Sequence, residues 1–153
     1  SHSGQGSLVY RQLTDEKGQK FPDFKNLSKK WSTGAEYIAL YPNVLLGAHR
    51  DHAYAIILLP LSFSETIENV HIYYSQPNTS FSLKKKNKNQ WKEVFEEDIF
   101  VVEGMQAGRL GIKFDGGRFS PKMDEPTHCF HDWVASKVND FRIHNNQITN
   151  VTE

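Results

Sequence analysis

A single cysteine in 153 residues, Cys129, excludes much chemistry at once. One thiol cannot make an internal disulfide, a four-cysteine zinc site or an iron–sulfur cluster. Charge of one sign is also missing, since 18 Lys and Arg balance 18 Asp and Glu. A neutral balance provides no field for holding nucleic acid or an anionic membrane. Nor is there a long hydrophobic run. The longest, around Tyr54 to Leu61, is far short of a membrane span. The first thirty residues hold no apolar stretch of signal-peptide length. A soluble, cytoplasmic domain binding neither nucleic acid nor membrane is expected. The glycosylation-like triplets at Asn26, Asn78 and Asn150 then read as chance.

Aromatic residues are what the chain does have. Ten Phe, six Tyr and three Trp stand within a hydrophobic share of only 38%. They can fill a core or line an apolar pocket, and the length suffices for one domain with a real core. Residues 1–6 read as a loose start, "SLVYRQL" as a first strand, and 14–34 as a polar loop broken by Pro22. β-Branched and aromatic residues then become dense, predicting strands over 36–41, 43–49, 53–61 and 67–75. The basic run "KKKNKNQWK" reads as a solvated loop leading into a helix over 91–106. A Gly-rich turn region follows, and a last helix is expected over 125–141, with residues 143–153 as a frayed tail. Strands first and helices after predict a single α+β domain over 1–153. A helix-grip (START/Bet v 1-like) arrangement, an antiparallel sheet wrapped on a long C-terminal helix, would enclose an apolar cavity.

The helix over 91–106 poses a chemical question. Trp91, Phe95, Val102 and Met105 recur on one face, and Asp98 sits in the middle of it. A carboxylate buried there must be neutral, paired or bound to a metal. The bland alternative is a solvated acid at the stripe edge, paired with Lys92 or Arg109. The spacing leaves both open. Histidines offer weaker signals. "HRDH" (His49 to His52) reads as a hairpin turn. "HCFH" (His128 to His131) places two imidazoles one helical turn apart, where packing is favoured over a shared metal. Cys129 reads as a small core residue.

Three stretches in order resemble one family. "LYPNVLLGAHRDHAYAIILLPLSFSETIENVHIYY", "EEDIFVVEGMQAG" and "GRFSPKMDEPTHCFHDWVASKV" resemble segments of the catalytic domain of Rieske non-haem iron (ring-hydroxylating type) oxygenase α subunits. Within that family the chain resembles the choline and carnitine monooxygenase-like subgroup and the aromatic-acid demethylases. The resemblance implies that Asp98 is the carboxylate of a two-His-one-carboxylate iron site, which leaves positions open for O₂. It assigns Glu103, Gln106, Trp91, Phe95 and Tyr41 to the pocket or to support of the site. It further implies a homotrimer, an electron-donating reductase, mononuclear Fe(II) and a 2Fe–2S cluster in the intact protein. Residues 1–40 hold one histidine, His2, and nothing like the paired-histidine segment that such proteins carry upstream. By that comparison the chain corresponds to the C-terminal portion of the catalytic domain, inactive alone and without a tightly bound cofactor. Two rivals remain: a stand-alone helix-grip domain binding an apolar small molecule without catalysis, and, more weakly, a hydrolase or isomerase using Asp98 as a base.

Overall fold

The computed structural model describes the backbone of residues 1–149 and the side chains of 1–143. Five strands form one antiparallel sheet in chain order: β1 (His2–Ser7), β2 (Ala35–Leu40), β3 (Val44–Ala48), β4 (His52–Pro60) and β5 (Thr66–Tyr74). Two helices follow, α1 (Phe81–Arg109) and α2 (Glu125–Thr149). The fold is α+β, consistent with a helix-grip arrangement.

The four predicted central strands form within about one residue of their expected limits. In β4 burial alternates from His52 through Tyr54 to Ile56, the period-2 signature of a strand with one covered face. Register fixes that face across the sheet. Tyr54 lies opposite Gly47 on β3 and Ile72 on β5, and Gly47 lies opposite Tyr37 on β2. A Cβ on Gly47 would come within 2.3 Å of the Tyr54 ring, so the missing side chain lets that ring lie across β3. Asn43 ties the β2–β3 turn to β4 by donating from Nδ2 to the Leu58 carbonyl at 3.0 Å.

Four expectations need correction. Residues 1–6 are read as a loose start, yet from His2 on they belong to β1, paired throughout with β2; of 7–13, read as the first strand, Ser7 ends β1 and 8–13 are outside any strand. Backbone pairing with an available sheet edge outweighs the Gly and Ser content of β1, while Leu8 and Val9 remain exposed. The lysine-rich run belongs to α1, which begins ten residues before the predicted start. Its buried side there is one residue per turn, Leu83 and then Asn87, only the first of them apolar, too sparse to show as periodicity. Cys129 is exposed, because α2 packs beside β1 and leaves most of its circumference open. The tail remains helical to Thr149; residues 150–153 lie outside the described residues. Among the described residues no helix is long and apolar enough to cross a membrane.

The 14–34 loop folds over one end of the sheet. Phe21 is buried and stacks on Tyr74 with ring centroids 5.1 Å apart. Arg50 holds this loop by donating from Nε to Asp23 Oδ1 at 2.9 Å and from Nη1 to the Ser32 carbonyl at 3.1 Å.

Candidate functional site

α1 crosses the inner face of the sheet and divides it into two open grooves. The larger, about 1530 Å³, runs between α1 and β5 and is lined by Val70, Ile72, Phe95, Asp98 and Val102 among others. The smaller, about 400 Å³, lies towards β1, β2 and the start of α2. Trp91, Glu103 and Gln106 line the larger groove, and Phe95 and Asp98 line both. Tyr41 lines neither groove. Its ring packs on Phe130 and Trp133 of α2, at 5.2 and 5.3 Å.

Of the two readings that the spacing leaves open, Asp98 takes the unburied one. It is exposed, as are Val102 and Met105 on the same stripe. The sheet covers that face from one side only, so an apolar stripe borders a groove instead of being enclosed. Lys92 pairs with Glu96 at 3.4 Å, and Asp98 has no hydrogen-bond or ion-pair partner among the described residues. Its charge is felt across the groove. Burial, then Tyr37, then Asp98 push the Tyr54 hydroxyl up to about 12, so it stays a protonated donor near neutral pH.

An aromatic cluster carries α1 over β4. Trp91 and Phe95 stack at 5.6 Å, and Tyr54 meets them edge-on at 4.7 and 5.4 Å. Asp98 follows on the same face, three residues after Phe95 and seven after Trp91.

Behind this cluster lies a buried polar group that reading "HRDH" as a turn does not reveal. The turn is there, but His49, Asp51 and His52 all point inward and are at most 3% exposed. Tyr10 donates its hydroxyl to Asp51 Oδ1 at 2.8 Å, and His52 Nδ1 lies 2.8 Å from the same oxygen. On the other side of the ring, Trp91 Nε1 donates to His52 Nε2 at 2.8 Å. An indole nitrogen can only donate, so Nε2 must be the acceptor. His52 is therefore the neutral Nδ1–H tautomer and donates to Asp51. Burial opposes the Asp51 charge, but hydrogen bonds from His52 and Tyr10 outweigh it and hold the carboxyl below its ordinary value. Burial, followed by the Asp51 charge, raises the Tyr10 hydroxyl well above its usual range. His49 stacks on His52 at 4.5 Å and 8°; burial brings it down to about 4. One acid and two imidazoles within four residues are the available signal. What the local pattern lacks is Tyr10, some forty residues upstream, which closes the group.

On α2, His128 and His131 both meet Phe119 edge-on at 5.0 and 5.1 Å, and His128 Nδ1 lies 3.2 Å from Asp132. Packing accounts for both. Among the described residues no group of three or more His, Cys, Asp or Glu is arranged to hold a metal ion. Asp98 could supply one oxygen ligand, and the described side chains do not complete a three-ligand iron site around it.

A family model described as ring hydroxylating alpha subunit (catalytic domain) matches residues 7–140. Putrescine 2-hydroxylase from Ralstonia nicotianae is similar to the chain, with 26% identity over 106 residues that cover 65% of this chain and 29% of that protein. The chain thus spans less than a third of that relative's length. No solved structure matches it.

Proposed function

This chain belongs to the ring-hydroxylating α-subunit catalytic-domain family, and from that premise we propose that it is the C-terminal, carboxylate-bearing portion of a Rieske-type oxygenase. One observation carries the proposal: Asp98 lines both grooves beside Tyr54, Trp91 and Phe95, with no hydrogen-bond or ion-pair partner among the described residues. A free carboxylate at an aromatic-lined groove suits a hard oxygen ligand for ferrous iron. When bound, such iron would supply O₂ activation. The other ligands would come from residues outside this chain, as would a 2Fe–2S cluster. This chain's own contribution is the carboxylate and the groove wall.

The intact protein would hydroxylate or dealkylate a small organic substrate in the cytoplasm, as a homotrimer drawing electrons from a reductase. Either an aromatic or an ammonium substrate suits the lining. Aromatic faces attract organic cations and stack on rings, and the relative named for hydroxylating putrescine points to an amine. Taken alone, the chain would neither hold iron tightly nor turn over. Glu103 and Gln106 at the groove would support the site, and Tyr41 would act from its packing on α2.

The test is iron content by metal analysis of the intact polypeptide. Asp98→Ala should remove bound iron and abolish turnover, with the fold retained by circular dichroism. Full iron occupancy in that variant would overturn the assignment. The rival, a helix-grip domain that binds an apolar molecule without catalysis, draws on the apolar wall of Val70, Ile72 and Val102. It predicts unchanged or tighter ligand binding after Asp98→Ala.

A further inference from the structure

We propose that His52 is a positioning residue that sets the rotation of α1 through Trp91, and with it the direction in which Asp98 faces. The inference rests on the reading of Asp98 as a ligand-bearing side chain for its functional meaning, but not for its geometry.

The argument runs outward from a fixed point. Asp51 is fully buried, and its Oδ1 takes hydrogen bonds from Tyr10 and His52. The His52 ring is thereby fixed in place and tautomer, with Nε2 presented as an acceptor. Trp91 is the one full-strength donor to that nitrogen, at 2.8 Å, with Asn87 Nδ2 one turn earlier at 3.5 Å. A hydrogen bond from an indole is directional, so it fixes azimuth as well as distance. Hydrophobic contact alone would not. Past Phe95, α1 has almost no cover: every residue from Glu96 to Arg109 except Gln106 is exposed. Nothing downstream of Asp98 within the described residues corrects its rotation. Seven residues, two turns, separate Trp91 from Asp98, and the Phe95–Tyr54 contact lies between them, so an azimuthal error at Trp91 reaches the carboxylate opposed by that aromatic contact. Buried polar groups commonly cost stability relative to apolar packing, and a specifying role is a hypothesis that must be tested in each protein.

Two readouts test it on this chain. The first is the indole N–H signal in a nitrogen–proton correlation spectrum, where Trp31, Trp91 and Trp133 give three peaks and Trp91→Phe identifies one. That peak should be displaced downfield and protected from exchange. It should survive His52→Gln, whose amide can donate to Asp51 and accept from Trp91, and lose its displacement in His52→Leu. An unprotected Trp91 peak in the unsubstituted chain would refute the hydrogen bond and the proposal together.

The second readout is the spin-label distance between His71→Cys on β5 and Val101→Cys on α1, in a Cys129→Ser background. A narrow distribution is expected for this pair and for its His52→Gln version, broadening or splitting with Trp91→Phe. Lower thermal stability with an unchanged distance distribution in Trp91→Phe would mean that the cluster is only structural. The two ideas fail separately: iron retained after Asp98→Ala sinks the oxygenase reading while leaving the distance result intact.

Discussion

His49 ties the stability of the molecule to pH. Its imidazole is 3% exposed and titrates at about 4 instead of the ordinary 6.5. The unfolded chain therefore binds a proton that the folded chain refuses across that interval. Its contribution is complete above pH 6.5 and is lost as pH falls through the interval towards 4, a difference of about 3 kcal/mol. Thermal melts between pH 7 and 4 should show a steep fall, and His49→Phe, which keeps the stack on His52, should flatten it. A slope unchanged in that variant would assign the loss to other groups. Gly47 gives a second test at this scale. Alanine there meets the Tyr54 ring, so Gly47→Ala should cost about 1–3 kcal/mol by denaturant melt. Gly47→Ala combined with Tyr54→Phe should regain only part of the loss, because the ring carbons stay in conflict with the new Cβ after the hydroxyl is gone. Residues of this kind are where local sequence reading reaches its limit. The spacing puts Asp98 on one stripe with Trp91 and Phe95, but a stripe cannot say that no second layer covers it. Tyr10 meets Asp51 and His52 only through contacts about forty residues apart.

Elements were legible in proportion to their apolar periodicity. β2 to β5 carry dense β-branched and aromatic residues, and their limits could be read to about a residue. β1 has a composition of Gly, Ser, His and Gln, and its order comes from β2 rather than from itself. The first ten residues of α1 are similar: lysines and asparagines with one leucine in the core. Lys84 nonetheless reaches back to the Pro77 carbonyl at 2.8 Å and lies over the Tyr74 ring, holding the helix start against β5. Leu83, 1% exposed, is the main apolar anchor of that half. Leu83→Ala should cost about 2–5 kcal/mol. Native-state hydrogen exchange should show α1 opening at lower free energy than β3 and β4, with the gap widened by the substitution. Equal exchange in helix and sheet would mean that α1 is held by more than its first four turns.

At the scale of the whole molecule, the outer half of α1 leaves large apolar side chains open to solvent. Phe100 is 81% exposed and Val102 63%, on a helix whose outer half touches little else. The chain also spans only 29% of the length of the relative it matches. Comparing the two settings separates intrinsic exposure from cover supplied elsewhere. On the chain alone, an exposed phenyl ring contributes little to folding, so Phe100→Asp should change stability by no more than about 0.5 kcal/mol. It should also reduce binding of a hydrophobic dye such as anilinonaphthalene sulfonate. In the intact oxygenase of the proposed reading, Phe100 would meet either solvent or another part of the protein. In the first case the same substitution is again neutral; in the second it buries a charge without a partner and lowers the melting temperature sharply. A large loss in both settings would mean that Phe100 is already packed in the chain by itself. A loss confined to the intact protein would place the outer half of α1, and the Asp98 groove beside it, at a boundary completed by residues beyond this chain.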